Sequence, residues 1–283
     1  MWRETIVIAV DKNNRKSLYR LYQGYKRGYL PDAVLEGTTG EAVVDNVDNP
    51  QVAVLQIPKL KLSIPGGDAS HPAAREFIKG LPRFSALICA SPGWEELLQE
   101  VRAGKLVAMP RYAFSSEKLD IDHLRGLAAW IPDGYRLEQI DVRLAKRLAA
   151  ERSEFASAHM RNFDSPEDFV ARGFGFCILA GDEVVSAAST FAVCSKGVEI
   201  EVGTREKQRG KGLATVVSAQ LLVHSLENGL DPNWDAENEH SAGLAKKLGY
   251  TPQGRYTLWL DCGSKVAARS VKALLKVQKF FAR

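Results

Sequence analysis

Apolar and polar positions along the chain follow two rhythms, and the change between them organises the reading. TIVIAV, residues 5–10, predicts a short buried strand, and KSLYRLYQGYKRGYL, residues 16–30, predicts a helix stopped by Pro31. Short apolar runs follow at 40–44, 51–57, 85–90 and 105–110, divided by turn-rich pieces. Between them, 71–81 and 91–101 have helical spacing, with Pro72 and Pro92 near the starts, where a missing N–H is harmless. At 115–135 the strand rhythm fades and ends in a Pro-Asp-Gly turn. A boundary is expected there, dividing a smaller α/β domain over 1–118 from a second domain over 119–283.

The second half is more regular. Leu137, Ile140, Leu144 and Leu148 share one helical face, so LEQIDVRLAKRLAAE predicts a helix. FGFCILAGDEVVSAASTFAV reads as two strands joined at Gly181-Asp182. KGVEIEVGT alternates Val198, Ile200 and Val202 with Glu199 and Glu201, a strand with one wet face. A basic, glycine-broken stretch follows, REKQRGKG, then an amphipathic helix over 212–228, a brief strand near NWDA, a helix EHSAGLAKKLG and a strand RYTLWL. In the last segment Lys265, Arg269, Lys272, Lys276, Lys279 and Arg283 form one basic stripe, with Ala267, Leu274 and Phe281 opposite.

Composition narrows the possibilities. The 283 residues suffice for two cores, and 45% hydrophobic with 25% charged residues is the balance of a globular protein. A net charge of +4 argues against a nucleic-acid partner. Cys89, Cys177, Cys194 and Cys262 show no paired spacing and the five histidines are dispersed, so no metal site is expected. Free thiols, no signal-like leader and no apolar run of spanning length point to the cytoplasm and to no membrane span. Oligomeric state is not written in these patterns.

Glycines at the mouth of a helix ask for a reason, because they weaken order there. Amides of a helix N-terminus lack internal partners, and glycines let several of them converge on one anion. Gly210 and Gly212, with Arg209 and Lys211 beside them and a strand before them, therefore predict a phosphate seat that includes Leu213 and Ala214. Neither a Walker loop nor a dinucleotide fingerprint is present. R-G-K-G-L-A, residues 209–214, instead resembles the [QR]-x-x-G-x-[GA] signature of the GNAT acyltransferase superfamily. Asn238, Ser241, Leu244, Gly249 and Tyr250 match that family's later motif, and the resemblance covers about 135–262.

The resemblance implies a GNAT acyltransferase fold in the second half, a mixed-sheet α/β architecture, and acetyl-CoA as co-substrate. It implies that Val202, Gly203 and Thr204 meet the pantetheine arm, Arg209 to Ala214 the pyrophosphate, and Asn238 and Ser241 the same ligand. Asn238 equally suits a helix cap and Ser241 a capping role. The acceptor would be a small-molecule amine or a protein amine. Glu199 and Glu201, two apart on a strand, point to one face, and either suits a general base acting through water or a cation-binding group; the plain alternative is a solvated strand face. Where the family often has a tyrosine acid the chain has Ala245. Tyr256, Tyr250 or Ser241 are substitutes, although Tyr250 suits a core plug. Two rivals remain: a non-catalytic acyl-CoA-binding regulatory or interaction protein, and an anion-surface binder acting through the terminal stripe.

Overall fold

The computed structural model describes residues 7–25 and 27–281. They form two compact units: Met1–Lys26, Pro31–Pro110 and Tyr256–Arg283 make one, Arg27–Leu30 with Arg111–Arg255 the other. No single cut at 118/119 separates them. The chain enters the second unit briefly at 27–30 and returns to the first at its end.

In the first unit, Ile8–Ala9 (β1) begins an antiparallel run, and a 3-10 turn over Arg15–Tyr22 precedes a short helix, Leu30–Leu35 (α1). The predicted helix over 16–30 is thus corrected: Pro31 opens a helix, because its missing N–H falls in the first turn. Glu41–Val44 (β2), Val52–Ile57 (β3) and Leu62–Gly67 (β4) continue the sheet. Pro72–Gly80 (α2), Ser85–Leu87 (β5), Pro92–Val101 (α3) and Leu106–Ser115 (β6) follow. Phe77, Ile78, Trp94 and Leu98 from the two helices pack on Val52 and Val54.

The second unit starts its helices with Ile121–Ala128 (α4), where Asp120 accepts from the Asp122 and His123 amides, within the stretch where the boundary is expected. Tyr135–Gln139 (β7) is a strand and Val142–Ala150 (α5) a helix, so the single helix predicted from Leu137 is divided. Asp141 is the reason: its carboxylate caps the Leu144 amide at 2.7 Å and ends the strand. Glu154–Met160 (α6) and Pro166–Arg172 (α7) complete one layer. Gly175–Ala180 (β8), Glu183–Val193 (β9) and Gly197–Thr204 (β10) are antiparallel neighbours. Alternation along β8 sends Cys177 and Leu179 to α5–α7, and Phe176 and Ile178 to the opposite face.

That opposite face is covered by Leu213–Glu227 (α8). This helix is buried almost all round rather than amphipathic, because it packs on the sheet and, through Ala219, Leu222 and Val223, on a second cluster. Asp231–Asn233 (β11) and Asp235–Ala236 (β12) lead to Glu239–Leu248 (α9). The sheet runs β11-β10-β9-β8-β7, with only β11 parallel to β10.

Thr251–Asp261 (β13) carries the chain back, pairing Trp259 with Leu87 of β5. Buried Asp261 lies 3.5 Å from buried Arg102, which also donates to the Ile78 and Leu81 carbonyls. This pair fixes the return. Lys265–Phe281 (α10) then packs Ala267, Ala268, Val271 and Leu275 on Val107 and Cys262. The expected apolar line is corrected accordingly, since Leu274 is exposed; Lys265, Arg269 and Lys272 face solvent. The side chains of Lys276, Lys279 and Phe281, and Arg283 altogether, lie outside the described residues.

Candidate active site

Gly210 and Gly212 both adopt left-handed backbone, φ +78° and +79°, which glycine alone holds without strain. Gly212 is the N-cap of α8, and no side chain caps the helix. Among the described residues the amides of 210–214 find no acceptor, so five consecutive donors stand open at the positive end of the helix dipole. A Cβ on Gly212 would fall 2.8 Å from the Trp130 ring, so this glycine is required twice over. Lys211 is held beside the seat, its Nζ 2.9 Å from Tyr135 Oη and 2.8 Å from Gln208 Oε1. Arg209 Nε donates to the Thr204 carbonyl at 3.3 Å, which ties the seat to the end of β10.

Among the described residues, the strand leading there has an unpartnered edge. β10 pairs with β11 only through Gly197, Val198 and Glu199; the chain then bends at buried Trp234, and β12 joins Tyr112 and Ala113 of β6 instead. A wedge opens between β10 and β12. The Arg205 amide bonds to the Val185 carbonyl at 2.9 Å, and antiparallel bonding alternates. Gly203 and Glu201 therefore turn their peptide groups to β9, and Val202 and Thr204 turn theirs into the wedge.

Both glutamates lie on one face, opposite Ile200 and Val202, which pack against the α8 side. Their settings differ. Glu199, only 7% exposed, accepts from the Tyr29 amide and from Asn233 Nδ2 at 2.8 Å, while Tyr29 Oη donates to Asp231 Oδ2 at 2.6 Å. Burial pushes the Glu199 carboxyl up to about 7, against those two donors. It braces the apex of the wedge. The Glu201 carboxylate accepts no hydrogen bond among the described residues, and burial raises its pKa while the positive charge of Arg161 lowers it.

The same architecture is known elsewhere. The GNAT acetyltransferase family model matches residues 20–259. The chain belongs to the GNAT acetyltransferase family. It is 32% identical over 187 residues to an uncharacterized N-acetyltransferase, YdfB, of Bacillus subtilis (strain 168), covering 65% of this chain and 68% of that one. It is similar to a GCN5-related N-acetyltransferase-like protein from Streptococcus suis 89/1591, at 31% identity and a TM-score of 0.73, over 88% of this chain and 98% of that one. A GCN5-related N-acetyltransferase from Kribbella flavida shares the fold, at 17% identity and a TM-score of 0.56, over 84% and 94% of the two chains. The protein is thus a transferase of acyl groups, and the family match reaches well before the 135–262 segment that holds the motifs.

The remaining GNAT motif positions are held by local hydrogen bonds and packing. Asn238 caps α9, its Oδ1 accepting from the Ser241 amide at 3.0 Å, and Ser241 Oγ accepts from Trp234 Nε1 at 3.2 Å. Leu213 is buried under the seat, while Ala214 contributes its amide. Tyr250 is a core plug: its hydroxyl donates to the Pro232 carbonyl at 2.8 Å, and burial raises its pKa. Ala245 is fully buried among Phe114, Leu124 and Trp234, on the core side of α9. Tyr256 lies on the stretch of β13 that belongs to the first unit. All four cysteines are buried, and burial pushes the Cys177 thiol up to about 12.

Three features carry no signature in the sequence. His159 is buried, its Nδ1 2.8 Å from Ser189 Oγ, and its Nε2 has no partner and lies against Gly203; burial holds its pKa down at about 4. Arg111 grips Asp235 on the far lip of the wedge, and Trp130 flanks the seat. Each reaches the site from a distant element. Among the described residues no cluster of metal-ligating side chains occurs, and no helix is long and apolar enough to cross a membrane.

Proposed function

We propose that the chain is an N-acetyltransferase that moves acetyl from acetyl-CoA to a primary amine by direct attack in a ternary complex. The observation that supports this most is the run of open amides at 210–214, continuing into the unpartnered edge of β10 and ending beside Glu201. A pyrophosphate fits the first, because each hydrogen bond to a charged group contributes about 1.5–3 kcal/mol. The amide-like pantetheine arm fits the second, through the peptide groups of Val202 and Thr204. Acetyl-CoA supplies an activated thioester carbonyl.

The protein's share is placement and one proton. Holding the amine against the carbonyl contributes on the order of 7–11 kcal/mol to lowering the barrier. Glu201, through a water, takes the proton that nitrogen must lose as the C–N bond forms and the C–S bond breaks. Burial raises its pKa, which makes it a better base than an exposed carboxylate. The departing sulfur resembles a thiolate of pKa about 8.5 and leaves without a strong acid, which accommodates Ala245.

Ala245 also motivates a second reading, a protein that binds acyl-CoA without turnover. Calorimetric titration with acetyl-CoA and thiol release across an amine panel separate the two. Micromolar binding with amine-dependent thiol release is expected. Binding without release for any amine favours the second reading, and no binding at high micromolar concentration rejects both.

A further inference from the structure

Charges at the acceptor end exceed what proton removal needs. Glu199 and Asn233 are the last register pair before β10 and β11 part, and their side chains are hydrogen-bonded on one face. Period two then sets Glu201 and Asp235 on that same face, one on each lip of the wedge. Asp235 is already matched: Arg111 Nε lies 3.2 and 3.1 Å from its two carboxylate oxygens, and Arg111 Nη1 lies 3.9 Å from Glu237. From the other side α6 packs over this face, with Phe155 and His159 against Gly203. Arg161, the C-terminal cap of α6, is exposed, and its guanidinium has no acceptor among the described residues. The residues around it fix this end of α6 beside Glu201: His159 Nδ1 lies 2.8 Å from Ser189 Oγ, Ser189 being the register partner of Glu201, and Asn162 Nδ2 donates to the Phe191 carbonyl at 2.8 Å. The Arg161 charge in turn lowers the Glu201 pKa.

A lone carboxylate and a lone guanidinium thus border the place where the acceptor must sit. An amine with no other charge would use only the first. We infer that the acceptor is an aminocarboxylate, its amine on Glu201 and its carboxylate in the planar fork of Arg161. This rests on the acyl-transfer reading of the cleft. Guanidinium binds such an anion bidentately, a geometry that ammonium cannot copy. Asp235 and Glu237 are already faced by Arg111, so what is left for the acceptor is one carboxylate and one guanidinium, the complement of an amine and a carboxylate on one molecule. A polyamine would leave Arg161 unmatched.

The test compares α- and ω-amino acids with their carboxamides and decarboxylated amines, using the full chain and acetyl-CoA. Amino acids are expected to exceed their carboxamides by at least about 30-fold in kcat/KM, nearly all of it in KM. Arg161→Gln should collapse that preference to near unity, and Arg161→Lys should recover part of it. Equal or better turnover of carboxamides or polyamines, a preference untouched by Arg161→Gln, or acceptance of no aminocarboxylate would overturn the inference. Titration of each sample with coenzyme A keeps the failures apart: binding with the wrong acceptor preference sinks this inference alone, whereas no binding by the wild type sinks the acyl-transfer reading beneath it. Thermal melts of the variants confirm that exposed Arg161 was changed without loss of fold.

Discussion

The seat at 210–214 and the charged rim around Glu201 lie toward opposite ends of one strand edge, yet they are made of different materials. The seat is backbone: open amides, two left-handed glycines and a helix dipole. The rim is side chain: Glu201, Asp235, Arg111, Glu237 and Arg161, drawn from β10, the far lip, β6 and α6. Main-chain recognition suits a ligand portion that never varies, because peptide geometry tolerates little adjustment. Side-chain recognition suits the variable partner, since one substitution changes a charge without moving a strand. Under the proposed reading, invariance and choice fall where each is physically easiest.

The largest expected effect lies at the seat. Gly212→Val forces a branched side chain into left-handed backbone and onto Trp130, and acetyl-CoA should bind at least about 100-fold more weakly, read by calorimetry. If binding is unchanged, the seat is not where the diphosphate rests. Next is Glu201→Gln, for which kcat should fall by about 10²–10⁴-fold with acetyl-CoA affinity unaltered. The wild-type rate should fall on acidification, with a midpoint above that of an ordinary carboxylate, and the variant should lose that limb. A variant with normal kcat would remove the base from the mechanism.

Buried Glu199 and His159 sharpen the comparison through stability. Glu199 titrates near 7 in the folded protein and lower when unfolded, so folding binds its proton more tightly. Its contribution is full below the unfolded carboxylate pKa of about 4.3 and is lost as pH rises through 7. His159 runs the other way: it titrates near 4 when folded, so its contribution is present above about 6.5 and is lost as pH falls through 4. Between those limits the two oppose each other, each by up to about 3 kcal/mol. Glu199→Gln should therefore unmask a stability that climbs from pH 4 to 6.5 in urea unfolding, where the wild type is flatter. Identical profiles would mean that Glu199 is not buried as a carboxyl.

The smallest effect is expected at Asn238, where replacement by Ala removes the cap on Ser241 and should lower stability by about 1 kcal/mol, with little change in acetyl-CoA affinity. A large loss of affinity instead would return this side chain to the ligand.

Much of the second half was legible because its signals are local. Gly181-Asp182 joined the predicted hairpin, alternation over 197–204 gave its strand, and Gly210 and Gly212 gave the open helix mouth. Misreadings arose where a local cue was ambiguous: Pro31 serves equally to stop or to open a helix, and Leu137 continues a helical spacing that Asp141 interrupts. The tyrosine position at Ala245 was readable as a departure, but only packing showed that it faces the core.

Sequence by itself therefore determined the open helix mouth at 210–214 and the strand that leads to it, since backbone conformation and alternation depend on neighbours a few residues away. Tertiary structure decided the rest. It divided Glu199 from Glu201 by bringing Tyr29 and Asn233 to one carboxylate and not the other. It also brought Arg111 onto Asp235, packed α6 over the face of Glu201 and returned β13 to the first unit. Burial and charge pairing are properties of what surrounds a side chain, and those surroundings come from segments far along the chain.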